Sequence, residues 1–370
     1  MELVPSSALM ASRLYGFHRR LAFCQKQDGE QTVKAITLSE FGNSDVLQLA
    51  DVPTPKAERG EVLIKIEAAG LNRLDHYIRE GTVADALPFP HILGSDAVGT
   101  IAELGDGVTG WSLGQQVIPM PGYPLDQTQA ASTPLALTPS YGIVGLARSG
   151  TYAEYISVPE EWVLEAPEGF SSAELATAPM PLVTAVQAVR GAGGVKEGDT
   201  VLIHAGASGT GSYMIQVAKA LGAKVATTIR TAAKADFVER IGASAVAMGD
   251  DDDALKAFAP DGFDVVIDNL GGDSTARSLN LSRAAGTVVL MGNVLGLESV
   301  IPVRSIFFPQ RRLVGTLMGG KEDLQWGLDR IASGDILPTL DRQWRLKDAA
   351  KAHQHLAEGK ALGSAVFDLS

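Results

Sequence analysis

Two rhythms of apolar and polar residues divide the chain. From Val33 to about Pro159, short apolar runs are cut by turns. Val62-Leu63-Ile64-Lys65-Ile66, Ala97-Val98-Gly99-Thr100-Ile101 and Gln116-Val117-Ile118 have strand character, with Gly105, Gly107, Gly110 and Gly114 punctuating them. That spacing predicts a small glycine-rich β barrel or sandwich. The stretch 123–149 lacks periodicity and reads as a long loop. From Asp199 onward, buried apolar runs alternate with amphipathic ones. Strands are predicted at 200–204, 224–229, 244–248, 263–268 and 286–291, and helices at about 212–221 and 232–241. Strand–helix units of this length predict a parallel, doubly wound sheet with helices on both faces. The fold class is therefore α/β, with a dinucleotide-binding type of sheet over 160–301. The β-rich domain spans 33–159, and a return segment, 302–370, packs back on it.

Composition narrows the function classes. The chain has 370 residues, enough for two domains at ~150 residues each. Its formal net charge of -12 repels phosphate backbones and anionic lipid, which argues against nucleic acid as a partner. One cysteine, Cys24, builds neither a disulfide framework nor a thiolate zinc site. The longest apolar stretch, 175–189, is broken by Pro179 and Pro181 and is shorter than the ~20 residues a bilayer requires. Residues 1–31 carry Arg13, Arg19, Arg20 and Lys26 but no run of signal-peptide type. They read as a disordered extension, a cloning remnant or an over-long start of a cytoplasmic protein, with a mitochondrial presequence as the rival reading.

The strongest local signal is Gly206-Ala207-Ser208-Gly209-Thr210-Gly211, between an apolar strand and an amphipathic helix. A dinucleotide needs its pyrophosphate against backbone N–H groups at a helix N-terminus. Glycines permit the sharp turn and the close backbone approach. Ser208 replaces the middle glycine of the usual pattern, but the strand–turn–helix context is the required one. NAD-specific sites carry an acid at the end of the second strand. This chain has Arg230, Thr231 and Lys234 there, and its first acid is Asp236. A 2′-phosphate suits those donors, so NADP(H) is the expected cofactor. The run Asp250–Asp253 opens a predicted helix, where acids complement the dipole, and lacks the glycine of a calcium loop. His204 reads as a packed or hydrogen-bonded residue beside the loop, and His353 and His355 as residues on a helix surface.

These pieces resemble the medium-chain dehydrogenase/reductase superfamily and, within it, the quinone oxidoreductases. The resemblance covers about 33–369. It rests on Gly70-Leu71-Asn72-Arg73-Leu74-Asp75-His76-Tyr77-Ile78-Arg79, Leu93-Gly94-Ser95-Asp96-Ala97-Val98-Gly99 and Gly150-Thr151-Tyr152-Ala153-Glu154-Tyr155. The glycine turn followed by Gln216-Val217-Ala218-Lys219, and Asp264-Val265-Val266-Ile267-Asp268, complete it. The resemblance implies a GroES-like β-barrel substrate domain with a Rossmann domain inserted in it, a cofactor cleft between them and a homodimer. It implies that Thr184 and Gly206–Gly211 line the cofactor, and that Asn269, Gly292, Asn293 and Met318 lie on its nicotinamide side. Ser364 stands where a late residue reaches the pyrophosphate.

Zinc alcohol dehydrogenases, the sister branch, use a cysteine where Asn72 stands, a histidine at Ser95 and a cysteine near Pro181. All three are missing, and Asp96 alone does not hold zinc, so no metal site is expected. Without a Lewis acid, a simple ketone is hard to polarise. A quinone or enone is already electrophilic and needs only hydrogen-bond donors for its oxygen. Asn72 and Tyr77 stand at family positions facing that space and are the candidate catalytic donors; Arg79 is expected to be structural. The expected function is hydride transfer from NADPH to a quinone or α,β-unsaturated carbonyl. A metal-free alcohol or aldehyde reductase, and an NADPH-binding protein with little turnover, stay open.

Overall fold

The computed structural model describes residues 31–84, 86–131 and 134–370. The extension and Cys24 lie outside the described residues, apart from Gln31. The chain divides into two units: the residues up to Met180 with Leu340–Ser370, and Pro181–Thr339. The divisions therefore fall at 180/181 and 339/340, rather than at 160 and 302. Pairing explains both differences. Val163–Glu165 pairs with Gln116–Pro119 and so belongs to the first unit. Arg312–Gly315 pairs in parallel with Ser282–Leu290 and so belongs to the second.

The second unit holds six parallel strands: Thr200–Ile203, Lys224–Ile229, Ala245–Met248, Phe263–Asp268, Ser282–Leu290 and Arg312–Gly315. Side by side they run third, second, first, fourth, fifth, sixth. That is the doubly wound order, in which ligands sit outside the carboxyl ends of the strands where the order reverses. Here the reversal lies between Thr200–Ile203 and its neighbours Lys224–Ile229 and Phe263–Asp268. Parallel strands covered on both faces read as continuous apolar runs; Leu202, Ala226, Val266, Leu279 and Val288 form their common core. The helix Gly209–Ala220 begins three residues earlier than its apolar stripe suggests. Ser208 caps it, its Oγ accepting from Gly211 N–H at 3.1 Å. The run of acids behaves as read: Asp251 caps the helix Asp252–Phe258.

The first unit is antiparallel except at its C-terminal pair. Its larger sheet runs Val163–Glu165, Gln116–Pro119, Asp96–Leu104, Glu61–Leu71, Ser364–Asp368, Leu340–Arg345, with Tyr155–Pro159 also pairing with Glu61–Leu71. A smaller sheet joins Thr32–Leu38 to Gln48–Pro53 and His91–Ile92. The stretch expected to be a plain loop contains a strand pair, Gly122–Pro124 with Tyr141–Ile143. These strands are too short for two-residue alternation to register, yet Tyr123 and Tyr141 are buried.

Candidate functional site

In the second unit, the turn Gly206–Gly211 leaves the carboxyl end of the first strand and enters the helix Gly209–Ala220. Gly206 admits no side chain: a Cβ there would lie 2.1 Å from Thr227 Oγ1 and 2.7 Å from Ile215 Cδ1. Ala205, at φ +51°, is held by its N–H donating to Thr228 Oγ1 at 3.1 Å. Ser208 donates to Ala205 O at 2.8 Å, so the residue replacing the middle glycine ties the turn together. The result is a shallow cradle of backbone N–H groups at a helix start, which fits a pyrophosphate.

The other strand ends carry the remaining candidates. Arg230 and Thr231 are exposed and Lys234 half-buried, just past the second strand. Asn269 follows the fourth strand, and its Oδ1 is buried with no hydrogen-bond partner among the described residues. Gly292 and Asn293 follow the fifth; a Cβ on Gly292 would meet Asn269 O at 2.2 Å, so the two turns touch. Thr184 donates to the sulfur of Met318 at 3.7 Å, joining two candidates far apart in sequence. Thr184, Met318 and the four strand-end groups share one unit and one edge of its sheet. Ser364 lies in the other unit, at the start of Ser364–Asp368, and is buried.

A polar chain runs beneath this edge. The ring nitrogens of His204 meet Thr228 Oγ1 at 3.2 Å and Ser278 Oγ at 3.1 Å. Ser278 donates to Asp268 Oδ2, and Asp268 Oδ1 accepts from the N–H groups of Leu270 and Gly271. Burial pulls the His204 imidazole down to about 4, so it is neutral. His204 is both packed and hydrogen-bonded, as expected, and its bonds tie two turns together.

The first unit holds the candidate catalytic donors. Asn72 caps the helix Arg73–Arg79, and Tyr77 lies in its second turn; both are half-buried. Asn72 N–H donates to Asp75 Oδ2 at 2.7 Å, and its Nδ2 donates to Asp96 Oδ2 at 2.8 Å. Asp75 also accepts from Tyr152 O–H at 2.9 Å and Gly94 N–H at 3.2 Å. Burial pushes Asp75 up to about 6 and Asp96 up to about 7. Arg79 is structural: its guanidinium donates to Gly42 O and Glu80 Oε1 and meets His76 Nδ1. His353 differs from expectation. It is 1% exposed, because the helix Ala349–Glu358 turns it inward against the Tyr152 ring. His355 pairs with Asp341 at 2.8 Å.

The positions matching zinc ligands carry an amide, a hydroxyl and a proline. Ser95 Oγ donates to Val144 O at 2.7 Å, and Asn72 is tied to Asp96. Among the described residues no group of three or more His, Cys, Asp or Glu could hold a metal ion. This donor set does not fit zinc.

Asp75, Tyr152, Thr228 and Ser278 were not singled out from sequence as site residues. The signal for Asp75 was present: an acid three residues after Asn72 is the spacing of a reciprocal helix cap.

Residues 58–168 match the alcohol dehydrogenase GroES-like domain family, and residues 209–333 match the zinc-binding dehydrogenase family. Human quinone oxidoreductase is 27% identical over 342 residues, covering 90% of this chain and 96% of that protein. The solved quinone oxidoreductase of Coxiella burnetii superimposes with a TM-score of 0.75 at 30% identity, covering 92% of this chain and all of that one. A solved NAD-dependent alcohol dehydrogenase superimposes with a TM-score of 0.86 at 30% identity, covering 91% of this chain and 100% of that one.

Proposed function

The chain belongs to the quinone-oxidoreductase-like branch of the medium-chain dehydrogenase/reductase superfamily, and we propose that it is an NADPH-dependent, zinc-free reductase of quinones or α,β-unsaturated carbonyls. Membership makes it an oxidoreductase that uses a nicotinamide cofactor, with a Rossmann unit and a GroES-like unit. The observation carrying the finer reading is the engagement of Asn72 and Ser95 with Asp96 and Val144 O, where a metal would need thiolate and imidazole.

Reduced nicotinamide supplies the hydride when bound. The chain's own residues do the rest. The turn Gly206–Gly211 receives the pyrophosphate on backbone N–H groups, and Arg230, Thr231 and Lys234 receive the 2′-phosphate. Thr184, Asn269, Gly292, Asn293 and Met318 orient the ring, and Ser364 contributes to the phosphates. Asn72 and Tyr77 donate hydrogen bonds to the substrate oxygen as charge collects on it. An already electrophilic acceptor needs no stronger polarising group.

The protein acts as a homodimer in this reading. Val300, Val303, Phe307 and Phe308 are 90%, 72%, 58% and 69% exposed. Beside them, Arg312–Gly315 ends the parallel sheet and pairs only with Ser282–Leu290 among the described residues. An apolar patch next to a free strand edge suits a second copy. No helix among the described residues is long and apolar enough to cross a membrane.

NADPH oxidation measured against quinones, enones, enals and simple ketones tests the assignment. Turnover confined to simple ketones would favour the second reading, a metal-free alcohol or aldehyde reductase, which the likeness to an alcohol dehydrogenase supports.

A further inference from the structure

Asp96 divides its carboxylate between two partners. Oδ1 accepts from Met180 N–H at 2.8 Å, and Oδ2 accepts from Asn72 Nδ2 at 2.8 Å. The side chain is 1% exposed and has little room to shift. Its strand partner is Gly70, where even a Cβ would lie 2.8 Å from Asp96 Cβ and 3.1 Å from Oδ2. Asn72 is held from two sides, its main chain by Asp75 and its amide nitrogen by Asp96.

We propose that Asp96 is a positioning residue for Asn72, deciding which end of the amide is tied inward and which end is left to meet a ligand oxygen. The inference rests on the reading of Asn72 as a donor to substrate. An ionised carboxylate only accepts, so it takes one N–H of Nδ2 and leaves the second N–H beside the amide oxygen, a poor neighbour for developing negative charge. A neutral acid protonated on Oδ2 donates instead. The amide then turns over, Oδ1 accepts from Asp96, and both N–H groups of Nδ2 are released. One solvent proton is taken up and no substrate bond is involved; Met180 N–H stays on Oδ1 of Asp96 throughout.

The surroundings put this choice within reach of ordinary pH. Burial holds Asp96 up at about 7, opposed by the hydrogen bonds from Asn72 and Met180 and reinforced by the Asp75 carboxylate. The titratable groups facing it are Asp75, which burial holds at about 6, and Tyr152, a phenol kept neutral well above its usual range. No cation is among the groups that shift Asp96.

Asp96→Asn is the informative variant. Its amide oxygen can keep Met180 N–H, so its NH₂ faces Asn72 and forces Asn72 to present Oδ1 inward at every pH. Enone kcat/KM of the unsubstituted protein should fall about tenfold or more from pH 6 to pH 8.5. The variant should hold its acid-side rate across that window, with NADPH affinity unchanged in both. Side-chain amide NMR of Asn72 in the ligand-free protein, identified by its loss in Asn72→Ala, supplies a readout free of turnover. Its signals should move with pH in the unsubstituted protein and stand still in Asp96→Asn. An Asn72 amide that does not respond between pH 5 and pH 9, or equal pH profiles for both proteins, overturns the proposal. An amide that titrates in a protein that turns over no enone supports the positioning and overturns the functional reading.

Discussion

A methyl group on Gly206 would lie 2.1 Å from Thr227 Oγ1, whose own hydrogen bond runs to Ile203 O at 2.7 Å. The glycine turn is thus pressed against the second strand. Gly206→Ala should weaken NADPH binding at least tenfold, because the turn must move off the strand. Adding Thr227→Ala removes the nearest obstruction and should restore part of the affinity. Cofactor titration of both proteins checks this; a double variant no better than the single one would show that the contact is not the cause.

Specificity for the 2′-phosphate should sit in Arg230 and Lys234. A charge-assisted hydrogen bond contributes ~1.5–3 kcal/mol, so each alanine variant should lose about ten- to a hundredfold in NADPH affinity. NADH affinity should barely change. If the unsubstituted protein binds both cofactors equally, the assignment to NADP(H) fails.

For the chemistry, Asn72→Ala and Tyr77→Phe should reduce enone turnover far more than quinone turnover. Loss of a preorganised oxyanion donor costs ~10²–10³ in rate. Quinones accept electrons with less help. Steady-state kcat/KM for one enone and one quinone decides it, and near-normal rates on both would reduce these residues to packing.

Purified protein should contain no stoichiometric zinc and keep its activity in strong chelator. The motive is the amide, hydroxyl and proline at Asn72, Ser95 and Pro181. Elemental analysis giving about one zinc per chain, removed together with activity, would overturn it.

His353 should make the protein acid-labile. Unfolded histidine takes up its proton near 6.5, whereas burial holds the folded imidazole down at about 3. The unfolded chain therefore binds more protons between those values, and stability is lost as pH falls below 6.5. At pH 5 this is about 2 kcal/mol, from ~1.4 kcal/mol for each of the ~1.5 pH units below 6.5. His204 acts in the same direction. Asp75 and Asp96 act oppositely: their stabilisation is complete below the unfolded value of 3.8 and fades as pH rises through about 6 and 7. Neither ring nitrogen of His353 has a hydrogen-bond partner, so His353→Leu sacrifices no bond among the described residues. Thermal unfolding should show the variant gaining more at pH 5 than at pH 8. Equal gains at both would mean the imidazole is not the titrating group.

Legibility followed burial and element length. Lys224–Ile229 and Phe263–Asp268 match the predicted strands to the residue, since buried parallel strands are unbroken apolar runs. Arg312–Gly315 is a partly exposed edge strand opened by a charge, so its membership in the parallel sheet left no apolar pattern to read. The burial of His353 was hidden by Lys351-Ala352-His353-Gln354-His355, a run whose polar composition mimics a solvated face. At the site, the glycine turn was readable because chemistry demands that residue type in that context. The Asp75–Tyr152 and Asn72–Asp96 bonds span 77 and 24 residues of sequence, and only the fold brings those partners together.

The placement of Ser364–Asp368 has a consequence for synthesis. This strand lies inside the larger sheet of the first unit, covering Ala68–Leu71, yet it follows the entire inserted unit in the chain. A ribosome releases residues in order, so the parallel sheet can close while Glu61–Leu71 still waits for half of its partner edge. Tyr155–Pro159 covers Glu61–Lys65 early, but Ala68–Leu71 stays an open, apolar template until the chain after Thr339 emerges. Nascent chains stalled between those points should be the species most dependent on chaperones.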